Sequence, residues 1–154
     1  MAKEVFKAHL ARFKELGVST ITASYHGDSD SGAVETISFF DAAGELLHED
    51  HRWDGQGPSN EFTERTYPNV SYMGMRSTFD KQTGLTIREA LWSSGSLSDL
   101  VESLVITLLP GGWEINEGSS GEVVLDLSKE PPLVEVQHGW NVISTEYESF
   151  MEDI

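Results

Sequence analysis

An α+β domain built on an antiparallel sheet is the fold this chain predicts, and three stretches carry the prediction. Val5, Phe6, His9, Leu10, Phe13 and Leu16 recur at spacings of three and four, which makes one apolar helix face over residues 3–16. Residues 18–41 hold two runs rich in β-branched and aromatic residues around the turn segment GDSDSG, the pattern of a hairpin. Leu97, Leu100, Val101, Leu104, Val105 and Leu108 form a second helical stripe over residues 97–109, followed by two strand-like runs.

Each element has a local reason. Gly17 stops the first helix. VSTITASYHG supplies a strand with Ile21, Ala23 and Tyr25 on one face, AVETISFFD returns, and AAGELLHEDHRW adds a turn and a third strand, so the N-terminal half reads as a meander. Residues 54–84 carry Gly, Pro, Asn and Ser at short intervals and predict loops and short strands, one near 61–67. LTIREALWSSG reads as a short helix or turn. Ser96 or Ser98 caps the second main helix, with Asp99 and Glu102 near its positive end and Pro110-Gly111-Gly112 at its stop. EVVLDL and PLVEVQHGW make a C-terminal hairpin across SKEPP. The tail STEYESFMEDI reads as a short helix or a disordered end. The sequence shows no internal repeat, and 154 residues predict a single domain, 1–154.

Charge is the strongest global signal. The chain carries 26 Asp and Glu against 10 Lys and Arg, a formal net charge of −16. The imbalance deepens toward the end, where residues 99–154 hold twelve acids and one base, Lys129, a net of −11. Direct nucleic-acid binding needs a basic footprint, and anionic membranes repel such a surface. A basic protein partner or a divalent cation is favoured instead, although acidity also serves solubility alone. The absence of cysteine excludes disulfides and thiolate metal sites. No run approaches the ~18 apolar residues of a transmembrane helix, and MAKEVFKAHLARFKEL lacks the apolar core of a signal peptide, so a cytoplasmic protein is expected.

Two segments stand out as motifs. The first is YHGDSDSGAVE, with Tyr25, Gly27, Asp30, Ser31, Gly32, Val34 and Glu35. The second is GWEINEGSSGEVVLDL, with Gly112, Trp113, Glu114, Asn116, Glu117, Gly118, Gly121 and Asp126. Together they resemble the two signature segments of an uncharacterised family of bacterial and mobile-element proteins, a domain of unknown function. Ser29 and Ser120 depart from the family pattern, which has Gly and an aromatic there, and residues 54–95 have no counterpart. The resemblance implies a small α+β protein of bacterial or phage origin and implies no activity.

The chemistry of these segments has two readings each. Asp28, Asp30 and Glu35 offer oxygen ligands but lack the spacing of an EF-hand, and an Asx-rich hairpin turn is the commoner use of such residues. In GWEINEG, Glu114 and Asn116 alternate to one side of an extended segment with Glu117 on the other, and Trp113 supplies either a ligand platform or a buried anchor between helix and sheet. His138 is a candidate base or metal ligand, or a structural hydrogen bonder. His48 and His51 are three apart, which on a strand puts them on opposite faces. The His-Glu-x-x-His motif, the phosphate loop and the nucleophile elbow are all missing.

The expectation is therefore a small acidic binding protein that engages a basic partner, as an inhibitor or nucleic-acid mimic acting on a defence or DNA-handling protein. The alternative is a metal-dependent hydrolase or small-ligand protein built on the two acidic turns. Binding candidates are Asp28, Asp30, Glu35, Glu114, Asn116, Glu117 and His138, with no catalytic residue assigned, no cofactor expected and the metal question open.

Overall fold

A computed structural model describes residues 2–28, 31–52, 60–109, 118–140 and 146–153. Its order of elements is α1 (Ala2–Ala8), α2 (Leu10–Glu15), β1 (Thr20–Asp28), β2 (Ser31–Phe40), β3 (Leu46–His51), β4 (Tyr67–Asp80), β5 (Leu85–Gly95), α3 (Leu97–Leu108), β6 (Ser119–Asp126), β7 (Leu133–Trp140) and β8 (Glu146–Asp153). Six strands form one sheet in the order β3-β2-β1-β6-β7-β8, and every neighbouring pair is antiparallel. β4 and β5 form a separate two-stranded ribbon. The α+β class and the antiparallel sheet agree with the sequence, and the meander and C-terminal hairpin join edge to edge through β1 and β6.

One face of the sheet makes the core. Ile21, Ala23 and Tyr25 alternate inward on β1, as do Val123 and Leu125 on β6 and Val134 and Val136 on β7. Phe13 stacks on Phe39, with centroids 6.2 Å apart, and Phe39 meets Phe62 at 4.5 Å. The expected stripe of α3 is buried in full, from Leu97 to Leu108. Ser96 is its cap: the Asp99 amide donates to the Ser96 hydroxyl at 3.0 Å, and the Ser96 amide donates to the Asp99 carboxylate at 2.8 Å.

Four expectations need correction. The helix over 3–16 is two helices, broken at His9, whose backbone sits at φ −107°, ψ 6°. His9 Nδ1 bonds the Val5 carbonyl at 2.9 Å, so a side chain occupies an acceptor the helix ladder would use. Residues 60–63 form a turn rather than part of a strand, with the Phe62 amide donating to the Asn60 side chain at 2.9 Å. LTIREALWSSG is strand β5, paired along its length with β4. Leu85 and Ile87 alternate with Thr86 and Arg88, but Glu89 and the run Ala90-Leu91-Trp92 break the period, and residues 85–91 are exposed on both faces, so no one-sided stripe marks the strand. The tail is strand β8, which extends the sheet through Phe150 opposite Val136, with Phe150 turned to the core and Met151 to solvent.

Candidate functional site

The register sets Val34, Tyr25, Gly121 and His138 side by side in one row across β2, β1, β6 and β7. The glycine is the opening through which Tyr25 and His138 meet. The Tyr25 ring crosses Gly121, and its hydroxyl hydrogen-bonds Nδ1 of His138. The two rings lie nearly parallel, 16° apart with centroids at 5.7 Å. A Cβ on Gly121 would fall 2.1 Å from the Gln137 carbonyl oxygen and 2.6 Å from Tyr25 Oη. No other residue fits there. Both rings are enclosed, with His138 at 0% exposure. Burial pushes the Tyr25 hydroxyl up from its ordinary value, so it stays neutral. Tyr25 and Gly121 come from the two different motif segments, and Gly27 pairs with Ser119, so strands of the two motifs lie against each other. The row fastens them together from inside.

The other candidates are spread out. Asp28 ends β1 opposite Ser31. Glu35 is exposed beside the irregularity in β2, and its carbonyl accepts from the Arg52 amide at 2.8 Å. Glu35 and His138 stand three strand spacings apart, about 14 Å. Asp30, Trp113, Glu114, Asn116 and Glu117 lie outside the described residues. Among the described residues no group of three His, Asp or Glu side chains is placed to hold a metal ion.

Sequence reasoning missed a charge cluster under the helix cap. Arg52, just past β3, reaches Asp50 at 3.0 Å, Glu102 at 2.6 Å and Asp99, which it bonds through the same Nη2. Arg52, Asp50 and Asp99 are largely buried, so the charges are shielded from water. Burial alone would raise Asp99, but the Ser96 amide and the Arg52 guanidinium outweigh it and hold the carboxyl below its usual value. Burial works against the Arg52 charge, yet Glu102 and Asp99 push its pKa up. The available signal was one arginine closing the run HEDHR in a chain short of bases. His48 and His51 do take opposite faces: His48 packs 5.3 Å from Phe62 and bonds Asn60 at 3.1 Å, while His51 is exposed. Burial lowers the His48 pKa, opposed in part by Asp50 and Glu49.

The acids are sorted by layer. The six strands of the large sheet hold one acid in β1, one in β2, two in β3, two in β6, one in β7 and four in β8, eleven in all, and no Lys or Arg. α1 and α2 instead carry Lys3, Lys7, Arg12 and Lys14 against Glu4 and Glu15. Lys7, Lys14 and Lys129 line a groove of about 570 Å³ with Leu10, Leu127 and Pro131. The face of the sheet turned away from the core is open. One row across it runs Glu49, Ser38, Thr22, Val124, Glu135, and the next sets Ser24, Glu122 and Gln137 abreast. Every side chain in these rows is exposed or half-exposed. Glu122 and Asp126 are each diagonal neighbours of Glu135, so the three carboxylates zigzag at steps of about 7–8 Å.

These observations define a class: an antiparallel sheet backed by helices on one face and open, polar and acidic on the other. No protein-family model, no curated protein and no solved structure matches the chain. No helix among the described residues is long and apolar enough to cross a membrane.

Proposed function

We propose that this chain is an acidic binding protein whose open sheet face occupies the nucleic-acid groove of a basic partner. The observation that carries the reading is the Glu122–Glu135–Asp126 zigzag on a sheet without a single Lys or Arg. Its steps approach the ~7 Å between successive phosphates that follows from the 3.4 Å rise and backbone offset of a duplex strand. A rigid strand pair offers such charges pre-positioned, so little ordering opposes binding. Ser24, Thr22 and Ser38 beside them add hydroxyls that accept from Arg or Lys. An inhibitor of a defence or DNA-handling protein is the natural use of such a surface. The alternative, a metal-dependent hydrolase or small-ligand protein on the acidic turns, draws less support, because His138 is enclosed with Tyr25 and Glu35 stands far from it.

The test is capture from host lysate at low salt with wild type and with the triple variant Glu122→Gln, Asp126→Asn, Glu135→Gln. The expected result is a protein held by wild type only, released by raised salt and by added duplex DNA. Equal capture by the triple variant, or a bound protein that duplex DNA does not displace, sinks the proposal.

A further inference from the structure

The β4–β5 ribbon leaves the body beyond Val70, which is buried in the core, and returns at Gly95, where a Cβ would fall 3.0 Å from Val70 and 3.1 Å from Asp99. Between these anchors its outer part, residues 75–91, reaches into solvent. Residues 75–91 are exposed on both faces save for Asp80, which is half-exposed. Met75 and Phe79 lie on one face; Leu85, Ile87 and Leu91 lie on the other. Phe79 is 61% and Leu85 64% exposed. An isolated two-stranded ribbon is marginal in water, and large apolar side chains gathered on one element mark an interaction site.

We propose that this ribbon is a dimerisation arm, packing against the same ribbon of a second copy of the chain. Charge selects that occupant. Two chains of −16 repel each other across the acidic sheet, and its edge strand β8 carries four acids in eight residues. The arm differs: Arg76, Lys81 and Arg88 stand against Asp80 and Glu89, so a second copy can approach there without that repulsion. Both signs lie on one short element, Arg76 already bridging Glu89 at 3.1 Å, which suits a two-fold contact where the same patch faces itself. A basic partner meets net positive charge on the arm and is directed elsewhere. Among the described residues no third strand pairs with either edge of the ribbon, which leaves backbone groups for pairing with another strand.

The proposal is independent of the acidic-face reading, and salt separates them. Arm pairing joins apolar surfaces of two like-charged chains, so it strengthens as salt rises, whereas a basic partner on the sheet is lost. Sedimentation equilibrium of the purified chain, at about 50 and 500 mM salt, should show a concentration-dependent dimer that tightens at high salt. The double variant Phe79→Ser, Ile87→Ser should weaken it by at least about tenfold while melting within a few degrees of wild type. Because the chain lacks cysteine, single-cysteine variants give a second measurement that leaves the apolar residues intact. Ser77→Cys on the arm should cross-link between chains on oxidation, and Ser38→Cys on the sheet should not. A monomer at all concentrations and both salts overturns the proposal, as does a dimer indifferent to the double variant or cross-linked through Ser38→Cys. A monomer whose arm instead captures a different protein also overturns it.

Discussion

Replacing Arg52 with Met tests what holds the helix cap to the sheet edge. Methionine keeps much of the side-chain volume and removes the charge. Three carboxylates, Asp50, Asp99 and Glu102, then lose their shared cation. At an effective dielectric of about 20, one pair at about 3 Å is worth roughly 5 kcal/mol of Coulomb energy, set against the cost of burying both charges. Removing one partner of a buried pair costs about 3–5 kcal/mol, because the residual charge stays buried. In a chain of this size, that is a fall in melting temperature of about 6–20 °C. Thermal unfolding by circular dichroism at pH 7 measures it directly. The pH profile adds a sign. Asp99 is held below its ordinary value in the folded state, so its contribution is complete above the unfolded carboxyl value near 3.9 and is lost as pH falls through the lower folded value. In Arg52→Met, protonation instead relieves a buried charge. The gap between variant and wild type should therefore narrow below about pH 4. A deficit under about 1 kcal/mol at pH 7, or a gap that does not change with pH, refutes the cluster as a buried tie.

Two further outcomes follow from the core. Gly121→Ala places a methyl against the Gln137 backbone, which cannot move without opening β6 from β7, and should cost at least about 3 kcal/mol in denaturant titrations; a near-neutral result removes the close approach of Tyr25 as the reason for this glycine. His48 is depressed by burial, so its contribution is present above its unfolded value and drains as pH falls below it. Wild type should thus lose melting temperature relative to His48→Phe between pH 7 and pH 5, and parallel curves for the two proteins would contradict the assignment.

The parts of this fold legible in the sequence are those with a one-sided period. Ile21, Ala23 and Tyr25 alternate against a core, and Leu97 to Leu108 repeat every three or four residues, so β1 and α3 declare themselves. The β4–β5 ribbon has apolar residues on both faces, with Pro68 and Gly74 in its first strand, and no period separates it from loop. His9 breaks the first helix by a side-chain bond that the apolar spacing does not register. The site shows the same divide. Tyr25 and Gly121 stand in the two motif segments and His138 is a lone strand histidine, so each is visible singly. Their meeting depends on β1 lying beside β6, about a hundred residues apart in sequence, and strand order of that range is not written in local pattern.

The layered sorting of charge has a consequence in time as well as in affinity. α1 and α2 carry four bases against two acids, α3 two acids, and the sheet strands eleven acids without a Lys or Arg, so the charge of these elements is far more negative on the sheet than on the helices, which sets a dipole from the sheet toward α1 and α2. A basic surface then exerts a torque before any atoms touch, turning the sheet toward it while the helices trail. Fewer collisions are wasted on wrong orientations, and the rate of productive encounter rises above what net charge alone supplies. Neutralising Lys3, Lys7 or Lys14 would make the whole chain more negative and yet weaken that alignment.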